Sequence, residues 1–144
     1  MAFQWLDMRI SEERDRRKKE AQVLDRLPRA FDDLHKLLGA CVADYTQAFG
    51  AESVEISGHL SRLRVTVREK REGKWEPSAK VEIVLDDKLP GLRIDRAGIP
   101  LTIEIGTLPG DKLSFRDVDT DQFITTEDLT RRILDRALFP KLPE

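Results

Sequence analysis

Asp117, Asp119 and Asp121 stand at alternate positions, and Asp128 closes the same run, Asp117-Val118-Asp119-Thr120-Asp121-Gln122-Phe123-Ile124-Thr125-Thr126-Glu127-Asp128. Carboxylates spaced in this way on a turning loop can aim hard oxygen ligands at one centre, which suits calcium. The run also has a simpler reading. Thr125 or Thr126 caps a following helix, and Glu127 and Asp128 lie in its first turn near the positive end of its dipole. The earlier carboxylates then form a solvated turn. That turn is the expected structure, and calcium held by Asp117, Asp119, Asp121 and Asp128 is the alternative. No other cofactor is implied.

The twelve residues from Asp117 to Asp128 resemble the calcium loop of EF-hands. Acidic residues fall at loop positions one, three and five, Ile124 takes the apolar eighth position, and a helix begins near the loop's end. Two positions depart from that pattern: Gln122 replaces the glycine of the sharp turn, and Asp128 replaces the long bidentate glutamate. Leu108-Pro109-Gly110 and the alternating Leu113-Ser114-Phe115 leave no room for an entering helix. The resemblance implies calcium binding and is confined to this segment.

Other reactive side chains do not assemble into a known pattern. Cys41 falls on the apolar face of a helical stretch, where a thiol packs as a small hydrophobe. His35 flanks that face and His59 falls in an expected turn, with no second histidine or cysteine at zinc-ligand spacing. The outward row Arg62, Arg64, Arg68 and Lys70 lacks aromatic neighbours for stacking bases, and Glu82 and Asp86 stand ready to neutralise it. Gly106 to Lys112 is too short for a phosphate loop and leads into a strand. With no acid, base and nucleophile set, a non-enzymatic protein is expected.

The elements that carry these residues follow from a change of period. Leu24, Leu27, Phe31, Leu34, Leu38, Cys41, Tyr45 and Ala48 recur at three- and four-residue spacing, the mark of one helical face. Pro28 predicts a kink, and Gly50 an end. After Gly50, alternation of two takes over: Val54 and Ile56; Leu63, Val65 and Val67; Ala79, Val81, Ile83 and Leu85; Leu92 and Ile94; Leu101, Ile103 and Ile105; Leu113 and Phe115. The connections, Gly58-His59, Glu72-Gly73-Lys74, Ala97 to Pro100 and Leu108 to Asp111, are too short for crossover helices, so the sheet must be antiparallel. Odd-numbered core residues on both sides of Glu72-Gly73 exclude a plain two-residue turn and call for a longer loop or a bulge. Leu129, Ile133, Leu134, Ala137 and Leu138 give the last helix its apolar face, and Pro140 stops it. The expected fold is α+β: a long N-terminal helix, an antiparallel meander of five to six strands and a capped C-terminal helix, in a single domain over residues 1–144.

The chain has 144 residues, a net charge of −2 and one cysteine. That balance gives nucleic-acid binding no support, one cysteine forms no internal disulfide, and no apolar run approaches the roughly 20 residues that span a bilayer. A cytoplasmic protein without membrane or nucleic-acid partners is expected. From Phe3 to Phe49 a helix would be about 70 Å long, whereas a six-residue strand spans about 20 Å. Residues 1–20 therefore form a candidate projecting arm, carrying Phe3, Trp5, Leu6, Met8 and Ile10 beyond the charged run Ser11 to Glu20. These five residues are the candidate partner-binding site of an interaction or oligomerisation module, with homodimerisation foremost. A pocket for a small apolar ligand between sheet and helix is the second functional expectation, and a calcium-responsive loop the third.

Overall fold

A computed structural model describes residues 3–110 and 112–143. Met1 and Ala2 of the candidate arm, Asp111 of the Leu108 to Asp111 turn, and Glu144 lie outside the described residues. The elements in chain order are α1 (Gln4–Phe49), β1 (Val54–His59), β2 (Arg62–Arg71), β3 (Lys74–Asp86), β4 (Gly91–Arg96), β5 (Ile99–Leu108), β6 (Lys112–Asp117), β7 (Gln122–Ile124) and α2 (Thr126–Leu138).

The strands form one antiparallel meander in the order β1 to β7, with every neighbour in sequence also a neighbour in space. Seven strands replace the expected five to six. The additional one, β7, has only three residues and pairs with the end of β6, so it lies inside the acidic run and carries no alternation of its own.

Of the alternatives that parity allowed between β2 and β3, the bulge is the one present. Arg71 pairs with Lys74, so the turn itself has two residues, Glu72 and Gly73, both at positive φ. The register then shifts between Val67 and Arg68, where Val67 pairs with Ala79 and Arg68 with Pro77. Ser78 is the extra residue of this bulge, and its hydroxyl donates to the Val67 carbonyl at 3.2 Å. The bulge restores the odd-numbered residues of both strands to one face. A second correction concerns Gly58, which sits inside β1 while the turn falls at Leu60-Ser61, with Leu60 at positive φ. Gly58 lies where the His35 imidazole packs: a Cβ there would stand 2.7 Å from its Cε1.

Both helices contribute to one core with the sheet. α1 contacts β1 and β5, and α2 covers β3 and β4 and meets α1. From α1 the buried residues are Val23, Leu27, Phe31, Leu34, Leu38 and Val42, spaced four, four, three, four and four. Leu24 and Ala48 of the expected stripe are exposed, and Cys41 and Tyr45 are half-buried. A strict heptad drifts about 20° per repeat around a straight helix, so a flat core takes Val23 and Val42 at the ends instead. α1 runs through Pro28, whose side chain faces outward and so keeps the missing backbone donor at the solvent side. The inward residues of the strands are Val54; Leu63, Val65 and Val67; Val81 and Ile83; Leu92 and Ile94; and Leu101, Ile103 and Ile105. No helix among the described residues is long and apolar enough to cross a membrane.

Candidate functional site

The acidic run folds as a turn, a short strand and a capped helix. Alternation along β6 puts Asp117 on the same face as Leu113 and Phe115, which pack on the core, and so leaves it only 3% exposed. A carboxylate in that position requires a charged or hydrogen-bonding partner. Arg132 on α2 provides it, donating from Nη1 to Asp117 Oδ2 at 2.6 Å and from Nη2 to Gln122 Oε1 at 3.0 Å. The backbone N–H groups of Asp119 and Thr120 donate to Asp117 Oδ1. On the opposite face, Arg116 joins Asp121 at 2.8 Å and Glu104 at 3.1 Å, and the two carboxylates raise its guanidinium pKa. Thr125 is the N-cap of α2 and accepts from the N–H of Asp128 at 3.1 Å. Of the four candidate ligands, Asp117 and Asp121 are thus engaged by different arginines on different faces, and Asp128 lies in the first turn of α2. Among the described residues no three carboxylate, imidazole or thiol groups converge as a metal site.

The other reactive groups are also dispersed. Cys41 lines a groove of about 550 Å³ between the C-terminal part of α1 and α2. Tyr45, Phe49, Leu134, Leu138 and Phe139 line it too, with Asp44, Glu127, Asp128, Asp135 and Arg131 around them. Tyr45 donates to the Leu138 carbonyl at 3.3 Å, and its burial, with the nearby Glu69 charge, pushes its phenol pKa up. This groove lies between the two helices, whereas the expected apolar pocket lay between helix and sheet. The His35 imidazole packs against Gly58 on β1. Of the two carboxylates expected to neutralise the basic row, Glu82 meets Arg64 at 3.0 Å, whereas Asp86 pairs with Arg93 at 2.6 Å; Arg68 meets Glu55 of β1 at 2.7 Å instead. Lys70 lies over the Trp75 ring, an aromatic neighbour that strand alternation did not reveal.

The largest departure from a packed surface is the N-terminal half of α1. From Phe3 to Gln22 no residue is buried, although the helix is continuous through this stretch and on to Phe49. About 19 residues, roughly 28 Å of helix, precede the first buried side chain, Val23. Ion pairs along the helix hold it: Arg9 with Glu12, Glu13 with Arg16 and Arg17, Arg16 with Glu20, and Lys19 with Asp15. Arg16 first, and then Arg17, hold the Glu13 carboxyl at about 2, well below its ordinary value.

The five candidate partner-binding residues are all exposed, from Leu6 at 40% to Trp5 at 66%. At about 100° per residue those within the helix divide between two sides of it. Leu6 and Ile10 share one side, Trp5 and Met8 another, and Phe3 is the extended N-cap that precedes the first turn. Leu6 and Ile10 are in phase with exposed Leu24, because positions 6, 10, 13, 17, 20 and 24 follow one unbroken four-three alternation. Glu13, Arg17 and Glu20 occupy its middle. Those charges interrupted the apolar pattern in the sequence and concealed the shared phase.

Comparisons of the chain with protein-family models, with curated proteins and with solved structures find no match.

Proposed function

We propose that this protein is a non-enzymatic association module whose N-terminal half of α1 binds a protein partner. The observation that carries this reading is the long run of helix with no buried residue, which nevertheless presents Leu6 and Ile10 on one side, with Phe3 exposed at its N-cap. Most helical stability in proteins comes from packing an apolar face, and a helix without such packing is marginal in water. The ion pairs along Arg9 to Glu20 support the helix in isolation, while the apolar side chains gain by being covered. The dispersed chemistry elsewhere supports association over catalysis.

A photo-crosslinking residue placed at position 6 or 10 of the full chain, expressed in its native cell, tests the reading. Covalent adducts with a protein are expected from these positions and not from position 18, which lies on another side of the helix. The absence of adducts from positions 6 and 10 would contradict it.

A further inference from the structure

We infer that the partner is a second copy of this chain, joined through an antiparallel pair of N-terminal helices related by a two-fold axis near position 15. The inference rests on the association reading above and specifies its partner and register. Three features set that register. Leu6 of one copy falls opposite Leu24 of the other, and both are exposed leucines in the same heptad phase. Glu13 falls opposite Arg17 of the second copy, and Arg17 opposite its Glu13, so opposite charges meet twice at the centre. The first helical residue, Gln4, falls opposite Arg26, one position before Leu27, which is already in the core of its own domain.

Other registers fit less well. In the proposed register Ile10 falls opposite Glu20; sliding the pair toward the N-termini by one heptad keeps Ile10 against a charge, Glu13, and also sets Leu6 against Arg17 in place of Leu24. Sliding it the other way drives each helix end into the partner domain, because the free helix is only about 28 Å long. A parallel pair would set Glu13 against Glu13 and Arg17 against Arg17. Polar residues at seam positions reduce the strength of a coiled coil while fixing its register and orientation, and Glu13, Arg17 and Glu20 have that role here. The seam is short, so the dimer should dissociate on dilution.

The test uses two full-length variants, Glu13→Arg and Arg17→Glu, both outside the folded core. Alone, each places like charges across the central layers, and also along its own helix. Mixed, they place opposite charges across both layers while the helices keep their internal repulsion. Each variant alone should self-associate about tenfold more weakly than the native chain, and the mixture should recover native affinity. Unchanged self-association of the single variants, or no recovery on mixing, overturns the inference.

Direction is read by disulfide trapping in a Cys41→Ser background. Chains carrying Glu13→Cys and Arg17→Cys should form a disulfide when mixed and not alone. Disulfides within each variant alone would show a parallel pair and overturn the proposed register. A native chain that stays monomeric while position 6 crosslinks to a different protein overturns the second-copy partner but leaves the association reading standing.

Discussion

Arg132 and Asp117 meet at 2.6 Å between α2 and the end of β6, joining the last helix to the sheet through a carboxylate that is nearly out of solvent. Removing the carboxylate takes the charged partner from an arginine that is only 28% exposed and leaves the backbone N–H groups of Asp119 and Thr120 without their acceptor. Asp117→Ala should therefore cost about 3 kcal/mol in chemical denaturation. Asp119→Asn, at a position whose backbone rather than side chain joins the turn, should change stability little. Equal losses from the two substitutions would contradict this assignment.

The same contact bears on calcium. Binding at the acidic loop would have to draw Asp117 from Arg132 and Asp121 from Arg116. Millimolar calcium added to chelator-treated protein is therefore expected to leave Tm within about a degree, since only a ligand with preference for the folded state raises it. A rise of several degrees that Asp119→Asn abolishes would establish the loop as a calcium site.

How far the sequence carried can be seen in this loop. Alternation located six strands, and Thr125 with Glu127 and Asp128 located the start of α2. The burial of Asp117 was also within reach, because the odd-numbered inward face of Leu113 and Phe115 extends to it. Arg132 was not, since its pairing depends on how α2 lies across β3 and β4. Parity demanded an irregularity between β2 and β3 but not its place: Glu72 and Gly73 both take positive φ in a tight turn, and the irregularity falls at Ser78. On α1, the heptad identified Leu27, Phe31, Leu34 and Leu38, while the flatness of the core brought in Val23 and Val42.

Gly91 offers a backbone test of the β4–β5 pairing. A Cβ at this position would stand 1.9 Å from the Ile103 carbonyl oxygen, which neither a rotamer nor a side-chain movement can relieve. Gly91→Ala should cost roughly 3 kcal/mol, whereas Gly39→Ala, with open space around its Cβ, should not destabilise the fold. Comparable urea midpoints for the two variants would contradict the pairing.

The charged part of α1 has an acid signature. The Glu13 carboxyl is lowered to about 2 in the folded chain against an ordinary value of 4.5. A lowered carboxylate pKa contributes stability that is fully present above the ordinary value and is lost as pH falls through the folded one, so the helix should weaken from about 4.5 down to 2. Carboxyl-carbon NMR should place the Glu13 midpoint near the low end of that window. Because the site is open to solvent, molar salt should move it upward. A midpoint near 4.5 at low salt would show that the pairing with Arg16 and Arg17 is absent.

The claim that the N-terminal half of α1 is an association surface predicts a separation between folding and assembly. Sedimentation velocity across a wide concentration range, on the native chain and on Leu6→Asp/Ile10→Asp, tests it most directly. Native protein should shift from monomer to dimer as concentration rises, while the double variant stays monomeric with an unchanged urea midpoint, since neither residue is in the core. Self-association that survives the double substitution would contradict the account.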